Sequence, residues 1–194
     1  FINGVLGADR WAVSNLTYSF PAAAAYYGSD YGFNEPNTGF ASVNSAQQFA
    51  AEQALAMISS VANLAFSKVV ETSTVHGDIR LAMSDAGGTA WGYYPHTADE
   101  GGDVWFNRAS GNYSNPVKGS YAWATVIHEL GHAMGLQHPH DGNVMPVSRD
   151  SLEYSIMSYR SFVGASTITG YLNEFYAYPQ TLMMYDIAAL QYMY

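Results

Sequence analysis

The sequence predicts an α+β (mixed α/β) domain, on three observations. Short β-rich runs (LTYSF, DIRLAM, DVWFN) fall in the first 107 residues. Helical periodicity appears around residues 45–66, from residue 121, and again from residue 182. Between the last two helical patterns the chain is irregular, and no internal repeat or low-complexity segment appears. Strands alternating with helices imply a mixed sheet with helices packed on it. At 194 residues and 48% hydrophobic composition, one ordinary domain with its own core is expected.

The elements follow in order. Residues 16–20 (LTYSF) alternate and end at Pro21, which reads as a first strand. Residues 21–43 mix Gly, Ala, Tyr, Asn and Pro without a period and read as a long loop, a type that is often functional. Ser45 is a candidate N-cap. Phe49, Gln53, Ala56, Met57, Ile58, Val61 and Ala65 then recur at helical spacing, so a core-packed helix to about Phe66 is expected. Residues 66–70 and 78–83 read as two strands with a turn between them. GGTAWGYYPHTADEGGD, residues 87–103, reads as a Gly-rich loop, and residues 103–107 (DVWFN) as a short strand. A second loop, SGNYSNPVKGS, leads into a helix from about Tyr121. LMMYDIAALQYMY, from Leu182, closes the chain as a helix.

Composition excludes several functions. The net charge is −9, with seven Lys and Arg. Nucleic acid needs a basic footprint, and none is present. The same balance argues against an electrostatic membrane anchor. No run of 18 uncharged apolar residues exists, so no membrane span is expected. With no cysteine, the fold must stand without disulfides, as in a cytosolic protein or a bacterial exoprotein.

The chemistry concentrates in HELGHAMGLQHPH, residues 128–140, which holds four of the six histidines. Residues four apart on a helix sit about 40° apart and about 6 Å along the axis. His128 and His132 therefore point the same way, with Glu129 beside them. Gly135 can end the helix in a left-handed turn, and the returning chain offers His138. Three neutral imidazoles leave a tetrahedral Zn²⁺ one open position for a water of pKa about 7. Glu129 would take that water's proton and later pass it to a leaving amine. A flat prior of roughly 5% per residue type gives HExxH by chance in about 2% of chains of this length. It gives HExxHxxGxxH in fewer than about one in ten thousand.

HELGHAMGLQH, with Ser155-Ile156-Met157-Ser158-Tyr159 downstream, resembles the zinc signature and Met-turn of the metzincin endopeptidases. Pro139 after the third histidine is similar to the serralysin branch; an acid there would point to astacins or reprolysins. LTYSFP, DIR, GGDVWFN and the ending PQTLMMYDIAALQYMY extend the resemblance over nearly all of residues 1–194, expected to form one catalytic domain. It implies a secreted bacterial zinc metalloendopeptidase that cuts internal peptide bonds. It also implies a twisted five-stranded mixed sheet with an antiparallel edge, two long helices and an irregular C-terminal part ending in a helix. In it Met157 would floor the histidines. Tyr159 would ligate zinc in the free enzyme and swing to hydrogen-bond the attacked carbonyl. Metzincins lay an extended substrate antiparallel along an edge strand, here expected at Gly102, Asp103, Val104, Trp105 and Phe106. The expected partners are a protein or peptide substrate and a proteinaceous inhibitor, the chain acting as a monomer. The GGxGxDxUx repeats of the serralysin calcium-binding β-roll are absent from these residues. Acidic loops offer oxygens to Ca²⁺, but no motif calls for it.

The neighbouring candidates read as ordinary. His140 would crowd His138 across Pro139 and is expected to bond within its loop. Asp141 reads as a solvated acid, with orientation of a ligand histidine as the alternative. His76 and His96 read as surface residues, and Asp186 as a helix residue anchoring the terminus.

Overall fold

The computed structural model describes residues 2–142 and 144–194. Its strands are β1 (Asn15–Ser19), β2 (Ala41–Ser42), β3 (Ala65–Lys68), β4 (Ile79–Ser84), β5 (Trp91–Gly92) and β6 (Val104–Asn107). Its helices are α1 (Ser45–Val61), α2 (Tyr121–Ala133) and α3 (Met184–Met193). The sheet runs β3-β1-β4-β6-β5. The first four strands are parallel, and β5 pairs antiparallel with β6 at the edge. The two-residue β2 takes the part of β4 beyond β1, pairing antiparallel at Ala82 and Met83.

Alternation along the inner strands sorts side chains to two faces. Leu81, Met83, Val104 and Phe106 join α1, α2 and α3 in the main core. Ala82 and Trp105 point the other way and pack with Tyr27 and Tyr31, with Phe40, Trp91 and Tyr93 against them. Both faces being covered explains why β4 and β6 read as near-continuous apolar runs. The second face is covered by the 21–43 segment, which contains two 3₁₀ turns, Ala24–Tyr27 and Glu35–Asn37.

This covering corrects the edge assignment. Gly102, Asp103, Val104, Trp105 and Phe106 are all buried, and β6 is flanked by β4 on one side and β5 on the other. At Val104 and Trp105 its main chain is paired on both sides and offers no edge to another strand. Asp103 is a buried structural acid. It accepts from Arg80 N at 2.8 Å, from Arg80 Nε at 2.9 Å and from the Tyr31 hydroxyl at 2.5 Å. The Arg80 guanidinium lies over the Tyr27 ring, 4.4 Å from its centroid. The edge is β5, inside the stretch read as a Gly-rich loop. A two-residue strand that ends in a glycine is too short to show a period of two.

Helix α1 begins one residue earlier than expected. Asn44 is the N-cap, and its side chain accepts from the backbone of Ala46 and Gln47. Gln47 answers with its own side chain on the Asn44 N–H at 2.8 Å, completing a capping box. The buried face is Ala50, Ala51, Ala54, Leu55 and Ile58, while Phe49 is 55% exposed. Small residues let the helix lie close, so the largest apolar side chain misled the face assignment. The helix stops at Val61 because residues 65–68 are claimed by pairing with β1.

Candidate zinc centre and substrate cleft

Helix α2 carries the first two histidines. Ser120 caps it, its hydroxyl accepting from Trp123 N at 3.2 Å. Its far end is closed by a Schellman motif: Leu136 N donates to Gly131 O at 2.9 Å and Gly135 N to His132 O at 2.8 Å. Gly135 has φ +90°, and a Cβ there would also strike the Asp9 carbonyl. The next carbonyl is met from outside the helix, Trp11 Nε1 donating to Ala133 O at 2.8 Å. The Tyr194 hydroxyl donates to Met134 O at 2.8 Å. Gly7 N and Gln137 N exchange bonds with Gly135 O and Val5 O at 2.8 and 2.9 Å. Both ends of the chain thus fix the turn that returns His138 to the helix.

The three Nε2 atoms converge. His138 Nε2 lies 3.0 Å from His132 Nε2 and 3.2 Å from His128 Nε2. Each Nδ1 has an acceptor at 2.8 Å: Ile156 O for His128, Leu136 O for His132 and Asp141 Oδ2 for His138. Those acceptors place the ring protons on Nδ1 and leave three Nε2 lone pairs facing one point. Such an arrangement repels itself unless a cation sits between. Tetrahedral zinc at 2.0–2.1 Å would hold the nitrogens about 3.3 Å apart, so the residues fit that ion. Burial drives the imidazoles neutral as well: His128 falls to about 3, His132 drops well below its usual value, and His138 is lowered despite Asp141. Asp141, read as a solvated acid, is therefore the partner that orients the third histidine.

Glu129 stays out of the histidine group. Its carboxyl is buried, which lifts it to about 8, and the Gly92 N–H opposes that rise. Gly92 belongs to edge strand β5, packed so tightly on α2 that a Cβ on it would strike the Glu129 carbonyl. The acid thus stands between the convergent nitrogens and the free sheet edge. The Tyr159 ring leans on His138 with centroids 4.4 Å apart and on His128 at 5.9 Å. Burial, then the charge of Glu129, raises its phenol to about 12, so the hydroxyl keeps its proton. Met157 is fully buried; its sulfur lies 2.6 Å from where a Cβ on Gly131 would be. A methyl group at residue 131, between the two helix histidines, would push it away.

His140 stacks on His138 with centroids 5.3 Å apart. Among the described residues its Nδ1 has no hydrogen-bond partner. It belongs to a looser group with His138 and Asp141 rather than to the three convergent nitrogens. His76 is tied to the buried Glu71 at 2.8 Å. His96 Nδ1 accepts from Ala98 N at 3.2 Å, away from the histidine group.

A family model described as Metallo-peptidase family M12, of reprolysin type, matches residues 29–176. Serralysin A of Dickeya chrysanthemi is 32% identical over 191 residues, which cover 93% of this chain and 38% of that protein. Serralysin C of the same organism is 31% identical over 204 residues, covering 97% and 40%. Serralysin of Proteus mirabilis is 30% identical over 207 residues, covering 93% and 40%. This chain belongs to the serralysin-type metallopeptidases. The M12 model spans the histidine motif and the Met-turn stretch, while likeness over nearly the whole chain is to serralysins. The chain spans about two-fifths of the length of these relatives.

Asp186 does more in this serralysin-type site than anchor the terminus. Asp186 of α3 accepts from the Ser155 hydroxyl at 2.6 Å and from Ile156 N and Met183 N, each at 2.8 Å. It therefore caps α3 and pins the backbone that carries both the His128 acceptor and Met157. Nothing in a single acid at helical spacing reveals that link. Asp186→Ala should leave two buried donors and one half-buried donor unmet and cost about 3 kcal/mol or more, read as a fall in the urea midpoint. Burial raises the Asp186 carboxyl to about 6. The native state then holds this proton more tightly than the unfolded chain does. That contribution is full below about pH 4 and is lost as pH rises through 6. Asp186→Asn, which cannot ionise, should gain on the parent between pH 4 and pH 7; a constant difference would refute the assignment.

Proposed function

We propose that residues 1–194 form the peptidase unit of a zinc metalloendopeptidase acting outside the cell on internal bonds of protein or peptide chains. The observation that carries this reading is the facing of three Nε2 lone pairs beside a buried carboxyl that is not one of them. His128, His132 and His138 would hold the ion. Bound there, it would supply Lewis-acid polarisation and a water acidic near neutrality.

The chain's own residues do the rest. Glu129 holds the proton released on attack and delivers it to the leaving nitrogen, with the Gly92 N–H keeping its carboxylate in place. The protonated Tyr159 hydroxyl donates to the oxygen that gains charge on the attacked carbonyl. Met157 keeps the floor beneath the histidines apolar and fixed. The outer edge of β5 offers main-chain groups to an extended substrate lying antiparallel to it. Among the described residues no helix is long and apolar enough to cross a membrane.

A casein or peptide assay with and without chelator tests the reading: cleavage should vanish with chelator and return with zinc. No cleavage by the zinc-loaded chain would overturn it. Tyr159→Phe should lower kcat more than it raises KM, because its bond forms as the carbonyl is attacked. A raised KM at unchanged kcat would count against that role.

A further inference from the structure

Glu35 is a fully buried acid that the steps above do not use. It opens the 3₁₀ turn Glu35–Asn37 in the segment that roofs the aromatic face of the sheet. The Ser84 hydroxyl, at the end of β4, lies 2.9 Å from Glu35 O and 2.8 Å from Thr38 O. Asp85 N donates to Thr38 O at 2.8 Å. The turn is therefore fixed to an inner strand, and its carboxyl reaches across β6 to the edge. Glu35 Oε1 accepts from Trp91 Nε1 at 3.3 Å and from the Tyr93 hydroxyl, while Oε2 accepts from Phe33 N at 2.8 Å. The Trp91 ring stacks on Trp105 of β6 with centroids 6.5 Å apart, and the exposed Phe33 ring stacks on Tyr93 at 6.3 Å. An apolar side chain at residue 35 would cover Trp105 without the cost of burying a carboxyl. What the acid adds is direction: one oxygen holds Trp91 and Tyr93, two residues apart on the same side of the edge.

Strand β5 needs such a hold. Only Trp91 and Gly92 pair with β6, with one further bond from Tyr93 N to Asp103 O at 2.9 Å. So short a ladder, half of it glycine, specifies its register weakly. Toward α2 the strand presents only Gly92, where a Cβ would strike the Glu129 carbonyl. Side-chain anchors for β5 can therefore come only from the roof side. With Tyr93 N turned to β6, the alternation leaves the Gly92 N–H and C=O on the free side, where that N–H meets the Glu129 carboxyl. We propose that Glu35 is a positioning residue for peptide cleavage: through Trp91 and Tyr93 it sets the place of Gly92, and with it the line along which an extended substrate runs past Glu129. This rests on the peptidase reading above.

The test uses the zinc-loaded chain on an octapeptide and a tetrapeptide that share the residues around the cut. The longer peptide lies along more of the edge, so the parent should favour it by at least about ten-fold in kcat/KM. Glu35→Ala should lower kcat/KM by about thirty-fold on the octapeptide and by less than about three-fold on the tetrapeptide. Glu35→Gln should fall between, because its single carbonyl can serve Trp91 and Tyr93 or Phe33, but not both. Tyr93→Phe, which loses only the hydroxyl, should cost the octapeptide about five-fold. Zinc content should match the parent's throughout, since the three histidines are held by Ile156, Leu136 and Asp141. If Glu35→Ala does not fold, Glu35→Gln and Tyr93→Phe carry the same comparison. A second readout needs no turnover: amide hydrogen exchange over residues 91–94 should quicken at least about ten-fold in Glu35→Gln, while that of α1 stays as in the parent. Equal losses on both peptides, or exchange that quickens throughout the chain, would make Glu35 a residue of general stability and overturn the proposal. Unchanged exchange at 91–94 would overturn it as well. Failure of the parent to cut either peptide would instead strike the peptidase reading.

Discussion

Glu129→Gln should bind zinc as the parent does and lose peptide hydrolysis by roughly a thousand-fold. The three Nε2 atoms form their group without the carboxylate, so metal content, read by elemental analysis, should not change. The amide can still accept from the Gly92 N–H that faces the acid, so the strand beside it should keep its place. What the amide cannot do is take a proton from water. Glu129→Ala should show the same loss, with the strand contact gone as well. If the glutamine variant stayed within about ten-fold of the parent, another group would have to be the base. Loss of zinc together with activity would make Glu129 a ligand instead.

Removing the metal should have the second large effect, on stability. Without a cation, the lone pairs of His128, His132 and His138 face one another at 3.0 and 3.2 Å. Each ring is held there by its own Nδ1 bond, so the repulsion cannot be relieved by a simple ring flip. An ion at about a thousand times its dissociation constant adds about 4 kcal/mol to the native state. For a domain of this size that is roughly 8–16 °C in Tm. A chelator should therefore lower the melting temperature by that amount, and added zinc should restore it. His138→Ala should melt at the same temperature with and without chelator. An unchanged melting curve for the parent on chelation would mean that no ion occupies the site.

The three histidines that converge were legible in sequence for a physical reason. His128, Glu129 and His132 owe their arrangement to helical geometry alone, which repeats wherever α2 forms. Gly135 marks the helix end because its φ of +90° is one that other residues adopt only at a cost. Strands β1, β4 and β6 were legible too, since LTYSF, DIRLAM and DVWFN are short apolar runs bounded by turn residues. The edge was not. DVWFN has the composition of a strand, and nothing in composition tells an inner strand from an outer one. Trp91 and Gly92 form the true edge because β6 is claimed on both sides and the 21–43 segment roofs the aromatic face.

The same division runs through the site. Local sequence determined which side chains could bind an ion, because their spacing is set by a helix and a tight turn. It also fixed the net charge of −9, since charge is additive and needs no fold. Tertiary structure alone decided that Asp141 orients His138, that Asp186 pins the Met157 turn from 29 residues away, and that Tyr171 walls a pocket beside His128. Those pairings join residues on separate elements. Their distances come from how the sheet, helices and returning chain pack, and no local period encodes them.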